Sequence, residues 1–171
     1  VEYGLRYRGE GPGMAAKLRD LPALSTLPLP TDLTIEEVGD PASMREWLDV
    51  SMLVYRGAEQ PATSEEHAVE VRLGLGAQLP SRRWLARLAG VPVGTSSIFM
   101  GAGVVGLYNV TTVAEARGQG VGAAVTLAAL AAARGAGYHV AVLQSSPMGF
   151  PVYTRLGFRE VCRIQSYVWE P

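Results

Sequence analysis

Residues 111–135, TTVAEARGQGVGAAVTLAALAAARG, set three alternating glycines between a β-rich run and an alanine-rich one. The run before them, GLYNVTT, carries the aromatic and β-branched residues of a strand. Residues 120–134 hold good helix formers, and Gly135 stands where such a helix closes. Glycine has no Cβ, so the main chain can turn tightly and another group can approach the N–H closely. Strand, glycine loop and helix N-terminus together present unpaired N–H donors at the positive end of a helix dipole. Phosphate oxygens are the natural ligand, in a di- or pyrophosphate, and Arg117 adds a charged fork beside them.

The rest of the chain predicts what surrounds this unit. LTIEEV, residues 33–38, reads as a strand. Residues 41–57 follow as a helix after Asp40, with Pro41 at its first position. A second helix is expected over 64–78, with acids in its first turn and Gly74 and Gly76 weakening its end. RRWLARLAG, VPVGTSSIFM and GVVGLYNVTT are β-rich runs divided by glycine turns, which suggests an antiparallel meander. Beyond the glycine unit, YHVAVLQ reads as a buried strand, residues 148–156 as a short helix and FREVCRIQSYVWE as a closing strand or hairpin. The sum is an α/β (α+β) fold: a central mixed, mostly antiparallel sheet flanked by helices.

Residues 1–32 are of another character. Gly9, Gly11, Pro12 and Gly13, then Pro22, Pro28 and Pro30, interrupt any long helix or strand. A Gly/Pro-rich extension, or the tail of an upstream unit, is therefore expected ahead of a domain over 33–171. The start at Val1 rather than Met points the same way.

Composition narrows the function. The chain has 171 residues, 48% hydrophobic and 18% charged, the balance of one folded domain. A net charge of −1 argues against nucleic acid as a partner. The lone Cys162 excludes an internal disulfide and a cysteine-based zinc site, no metal is expected, and a reducing interior fits. No stretch is long and apolar enough to span a bilayer, so no membrane is expected and the location predicted is cytoplasmic.

Several phosphate sites share such glycines. A P-loop needs Gly-Lys-Ser or Gly-Lys-Thr, and no lysine is near. Gly118, Gly120 and Ala123 fit a dinucleotide fingerprint, but YHVAVLQ lacks the acidic residue that fingerprint expects. The glycines could also serve tight helix–sheet packing alone. A second segment bears on the choice. Arg117-Gly118-Gln119-Gly120-Val121-Gly122 resembles the R-x-x-G-x-G coenzyme A motif of the GNAT N-acetyltransferases, and Tyr153-Thr154-Arg155-Leu156-Gly157-Phe158 resembles their later Y-x-x-x-G-F motif. The order of elements over residues 33–169 is similar as well.

The resemblance implies roles. Arg117, Gly118, Gln119, Gly120, Val121 and Gly122 would hold the coenzyme A pyrophosphate. Val110, Thr111 and Thr112 would offer backbone groups to the pantetheine. Ser146 stands where the family often has asparagine. Tyr153, a phenol with an ordinary pKa of about 10, would donate a proton to the departing thiolate, although a core tyrosine is the competing reading. The central strand carries no glutamate to act as base, so Tyr108 and Asn109 are the candidates to line the site or order a water there. Glu115, His67 and His139 read as ordinary surface or strand residues, and Cys162 as a packed core residue.

The implied activity is transfer of an acetyl group from acetyl-CoA to a primary amine, on a small molecule or peptide, directly in a ternary complex. A noncatalytic coenzyme A-binding module, one half of a tandem protein, is the alternative, and a nucleotide-binding oxidoreductase is a third. A homodimer or an upstream domain would be the further partner.

Overall fold

The computed structural model describes residues 4–76 and 79–169. Its strands are β1 (Leu5–Lys17), β2 (Leu33–Glu37), β3 (Ser81–Leu88), β4 (Val91–Gly101), β5 (Val104–Thr112), β6 (Val140–Gln144) and β7 (Arg159–Trp169). Its α-helices are α1 (Pro41–Arg56), α2 (Ser64–Gly74), α3 (Val121–Gly135) and α4 (Phe150–Leu156). The strands form one sheet in the order β2-β3-β4-β5-β6-β1-β7. Every neighbouring pair is antiparallel except β5 and β6, which run parallel. This is the mixed, mostly antiparallel sheet with flanking helices that the sequence pattern predicts.

Local chemistry sets the helix ends. The Asp40 carboxylate accepts from the Ala42 and Ser43 amides at 2.8 and 3.1 Å, and Pro41 supplies a fixed φ at the first position of α1. Gly57, at φ 85°, ends that helix. Thr63 and Glu66 make the reciprocal cap of α2. That helix stops at Gly74, short of the expected Gln78, which lies outside the described residues.

Neighbouring residues of β4 show how the helices are layered. The Thr95 hydroxyl meets Ser51 of α1 at 3.2 Å, whereas the Ser96 hydroxyl donates to the Val125 carbonyl of α3 at 3.0 Å. Successive side chains of a strand point to opposite faces, so α1 and α3 cover opposite faces of the sheet. Small residues let α3 lie close: Ala124, Ala129 and Ala133 are fully buried against it. Gly94 completes the fit, because a Cβ there would stand 2.7 Å from Val121 Cγ1 and push the start of α3 away.

Residues 5–17 correct the reading of an interrupted extension. They form β1, the longest strand, held between β6 and β7. Its glycines and proline fall where the sheet accommodates them. Gly9, at φ 135°, sits at a register shift, and the Pro12 carbonyl accepts from the Ser145 amide at 2.9 Å. Gly13 faces Cys162, whose sulfur would be only 2.5 Å from a Cβ. Met14, Leu18 and Leu21 then enter the core.

Cys162 is a second correction: it is exposed rather than packed in the core. β7 is an edge strand, and its side chains are exposed on both faces.

Candidate functional site

The parallel neighbours β5 and β6 pair only at Val105 with Ala141 and Gly106 with Val142, and beyond that point they diverge. The bend has a local cause. Thr95 pairs with Thr111 and Ser97 with Tyr108, so one residue of β4 faces two of β5. Asn109 absorbs the extra length in the left-handed region, at φ 51°, a conformation asparagine tolerates better than most residues. Its carboxamide donates to the Ser97 hydroxyl at 3.1 Å, and its carbonyl accepts from Thr95 at 2.8 Å. Thr95 also meets the Thr111 hydroxyl at 2.6 Å, which ties the bulge to α1 through Ser51.

A cleft of about 1090 Å³ opens where the strands part. Val110, Thr111 and Thr112 of β5 line it, with residues 117–122 at the start of α3, Ser146 in the turn before α4 and Tyr153 on α4. The structure thus brings every expected coenzyme-contacting residue and Tyr153 to one place. Asn109 lies on the bordering strand and is not among the lining residues.

The glycine loop is built from backbone. Gly118 and Gly120 take φ of 78° and 83°, and Gly120 is the N-cap of α3 with no side-chain cap. The first helical bond runs from the Ala124 amide to the Gly120 carbonyl at 2.9 Å. Among the described residues, the amides of 118–123 donate to no acceptor. They stand at the positive end of a 15-residue helix. Arg117 is exposed; among the described residues it spends only its Nε, on the Thr112 carbonyl at 3.2 Å, which leaves its terminal nitrogens for an anion.

Tyr153 is placed by two glycines. A Cβ on Gly149 would stand 2.8 Å from Tyr153 Cε2, so the ring lies across the start of α4. Gly157, at φ 105°, ends the helix and sends Phe158 back against Tyr153, ring centroids 5.8 Å apart and edge to face. The Ser146 hydroxyl accepts from the Gly149 amide at 3.1 Å and shapes the turn into α4. Burial, helped by the nearby Tyr55 phenol, pushes the Tyr153 pKa up to about 12. Among the described residues, its hydroxyl has no hydrogen-bond partner.

Tyr55, near the C-terminal end of α1, lines the same cleft; it is 57% exposed, and the partial desolvation it meets there raises its pKa too. Residues 27–30 form a further wall that the sequence pattern did not suggest, since they come from the segment read as an extension. Among the described residues, the lining includes no aspartate, glutamate or histidine. His67 is elsewhere, its Nε2 2.8 Å from Asp49 Oδ1 across α1 and α2. Glu115 and His139 are exposed, and Tyr108 lies outside the lining. Among the described residues, no group of three or more His, Cys, Asp or Glu side chains could hold a metal ion. No described helix is long and apolar enough to cross a membrane.

Known structures share this architecture. A GCN5-related N-acetyltransferase from Kribbella flavida is 22% identical, with a TM-score of 0.75 over 100% of this chain and 62% of that one. One from Sphaerobacter thermophilus is 20% identical, with a TM-score of 0.70 over 96% of this chain and 51% of that one. The chain thus spans less than two thirds of the length of either. A predicted acetyltransferase from Clostridium acetobutylicum, solved with acetyl-CoA, is 16% identical, with a TM-score of 0.56 over 75% of this chain and 91% of that one. No curated protein sequence matches. The sequence itself matches the Acetyltransferase (GNAT) family over residues 42–158, and the chain belongs to that family.

Proposed function

We propose that the protein transfers an acetyl group from acetyl-CoA to a primary amine, directly and within a ternary complex. The observation that carries this reading is the row of unpaired amides over 118–123, which faces a cleft ending near a buried phenol. Those amides and Arg117 suit the coenzyme diphosphate. From there the pantetheine would run along Val110, Thr111 and Thr112, where β5 has parted from β6 and its backbone has no strand partner on that side. The thioester would then reach Tyr153.

Attack by the neutral amine nitrogen on the thioester carbon forms a tetrahedral centre, and breaking its C–S bond releases the thiolate. A phenol with a pKa of about 12 keeps its proton at neutral pH and donates to sulfur as charge gathers there. The proton shed by the amine balances the one the thiol takes up. Asn109 acts as a positioning residue, holding the bulge that parts β5 from β6. Direct transfer is favoured because Cys162 stands on β7, away from the cleft, so the lining offers no thiol to carry the acetyl group. The acceptor is a small-molecule or peptide amine. With one cysteine and no disulfide, a cytoplasmic place of action fits.

The lack of any carboxylate or imidazole in the lining favours a second reading, a module that binds coenzyme A without turnover. Free-thiol release from acetyl-CoA across a panel of amines, amino acids and peptides separates the two. In the enzyme, Tyr153→Phe should lower kcat by roughly 10²–10⁴-fold and leave coenzyme affinity nearly unchanged. Near wild-type kcat in that variant would remove Tyr153 from the chemistry. Coenzyme binding with no thiol release for any amine would favour the silent module.

A further inference from the structure

The connection from β1 to β2 passes the start of α3, and its residues 27–30, Leu-Pro-Leu-Pro, wall the cleft that holds the glycine loop. This wall lies outside the segment that matches the family, residues 42–158. It reaches the loop itself. Leu29 Cδ2 lies 3.0 Å from where a Cβ on Gly120 would stand, and the Pro28 carbonyl oxygen 3.7 Å from the same point.

The wall is stiff and seated by side chains. Each leucine precedes a proline, which biases it to an extended backbone, and Leu27 takes φ −80° and ψ 138°. Leu24 and Leu27 pack against the core. Among the described residues, the one backbone hydrogen bond from residues 19–31 to another element is local, from the Leu33 amide of β2 to the Pro30 carbonyl at 3.2 Å. Leu29, half-buried, keeps its apolar end beside the amides of the loop.

Resting on the coenzyme reading above, we propose that Leu29 is a coenzyme-binding residue that packs on the pantoyl part of coenzyme A. The chemistry of the ligand makes the choice. On one side of its diphosphate stands a phosphorylated ribose, polar and anionic. On the other, one methylene away, stands the pantoyl carbon with its two methyl groups. A leucine methyl at the diphosphate loop complements the second and gives nothing to the first. Pro28 and Pro30 hold the wall in place before the ligand arrives, which reduces the ordering cost of binding.

The test is calorimetric titration of wild type and Leu29→Ala with two ligands, coenzyme A and 3′-phosphoadenosine 5′-diphosphate. The second keeps the diphosphate and ribose and lacks the pantetheine. Leu29→Ala should weaken coenzyme A by about tenfold and leave the second ligand nearly unchanged, the loss of one or two buried methyl contacts. Leu29→Met should restore most of the affinity. Leu29→Thr removes less volume and should show the same split between ligands should the alanine variant unfold. An equal loss for both ligands, or unchanged or tighter coenzyme A binding, overturns the assignment while the coenzyme reading stands. A wild-type protein that binds neither ligand overturns both.

Discussion

Deleting residues 1–21 should abolish cooperative folding, although the deletion removes no residue of the glycine loop or of α4. Three large side chains of the core go with it: Met14, Leu18 and Leu21, exposed by 1%, 2% and 9%. Full burial of such a side chain is worth about 1.5–3 kcal/mol, so the three contribute roughly 5–9 kcal/mol before any hydrogen bond is counted. Total stability of a domain is about 5–15 kcal/mol, which leaves little or nothing. The sheet suffers as well. β1 pairs β6 from Gly13 to Lys17 and β7 from Leu5 to Ala15, and in the sheet order β7 has no other neighbour. The Ser145 amide, which leads into the turn before α4, loses its acceptor, the Pro12 carbonyl. Urea unfolding should be followed by far-UV circular dichroism and by the fluorescence of buried Trp47 and Trp84. The truncated chain should show no shared sigmoidal transition in the two signals. One coincident transition with a midpoint near that of the full chain would refute this reasoning and make β1 a dispensable attachment.

Two further outcomes test the site. Gly120→Asp should remove the rise in melting temperature that acetyl-CoA gives the wild type, by placing a carboxylate beside the diphosphate. The apo variant should be destabilised by roughly 1–2 kcal/mol, because residue 120 sits at φ 83°; an undiminished acetyl-CoA shift would move the coenzyme elsewhere. Tyr153 should show in the alkaline limb of stability. Its folded pKa of about 12 exceeds the ordinary 10.0, so the folded state holds the proton more tightly. That advantage is whole below pH about 10 and is lost, to roughly 2–3 kcal/mol, as pH rises through 12. Urea midpoints at pH 9 and 11 should fall less in Tyr153→Phe than in wild type, and an equal fall in both would show that the phenol is not buried in solution.

Much of the fold is legible in the sequence because it is decided locally. The cap at Asp40 and Pro41, the three-strand meander and the Ala-rich α3 each carry their signal within a dozen residues. β1 does not. Read alone, Gly9, Gly11, Pro12 and Gly13 are breakers. Their justification lies in residues more than 130 positions away: Ser145, which takes the Pro12 carbonyl, and Cys162, whose sulfur needs the space over Gly13. Cys162 misleads for the converse reason. A lone cysteine reads as a small core residue, and only the sheet order reveals that its strand forms an edge.

The site divides along the same line. A loop that binds through its own amides is written in consecutive residues, so Arg117 to Gly122 could be found from spacing and placed at a helix start. Tyr153 could be found because Gly157 and Phe158, its sequence neighbours, are also its packing partners. Leu29 and Tyr55 reach the cleft only through the path of a connection and the length of α1, and no local pattern marks either. These two walls arise from segments that bear no coenzyme motif. On the proposed reading, the glycine loop and Tyr153 supply the chemistry of the cleft. On that reading, the side chains least visible in the sequence are the ones that would set how tightly the cleft holds the coenzyme and which amine it admits.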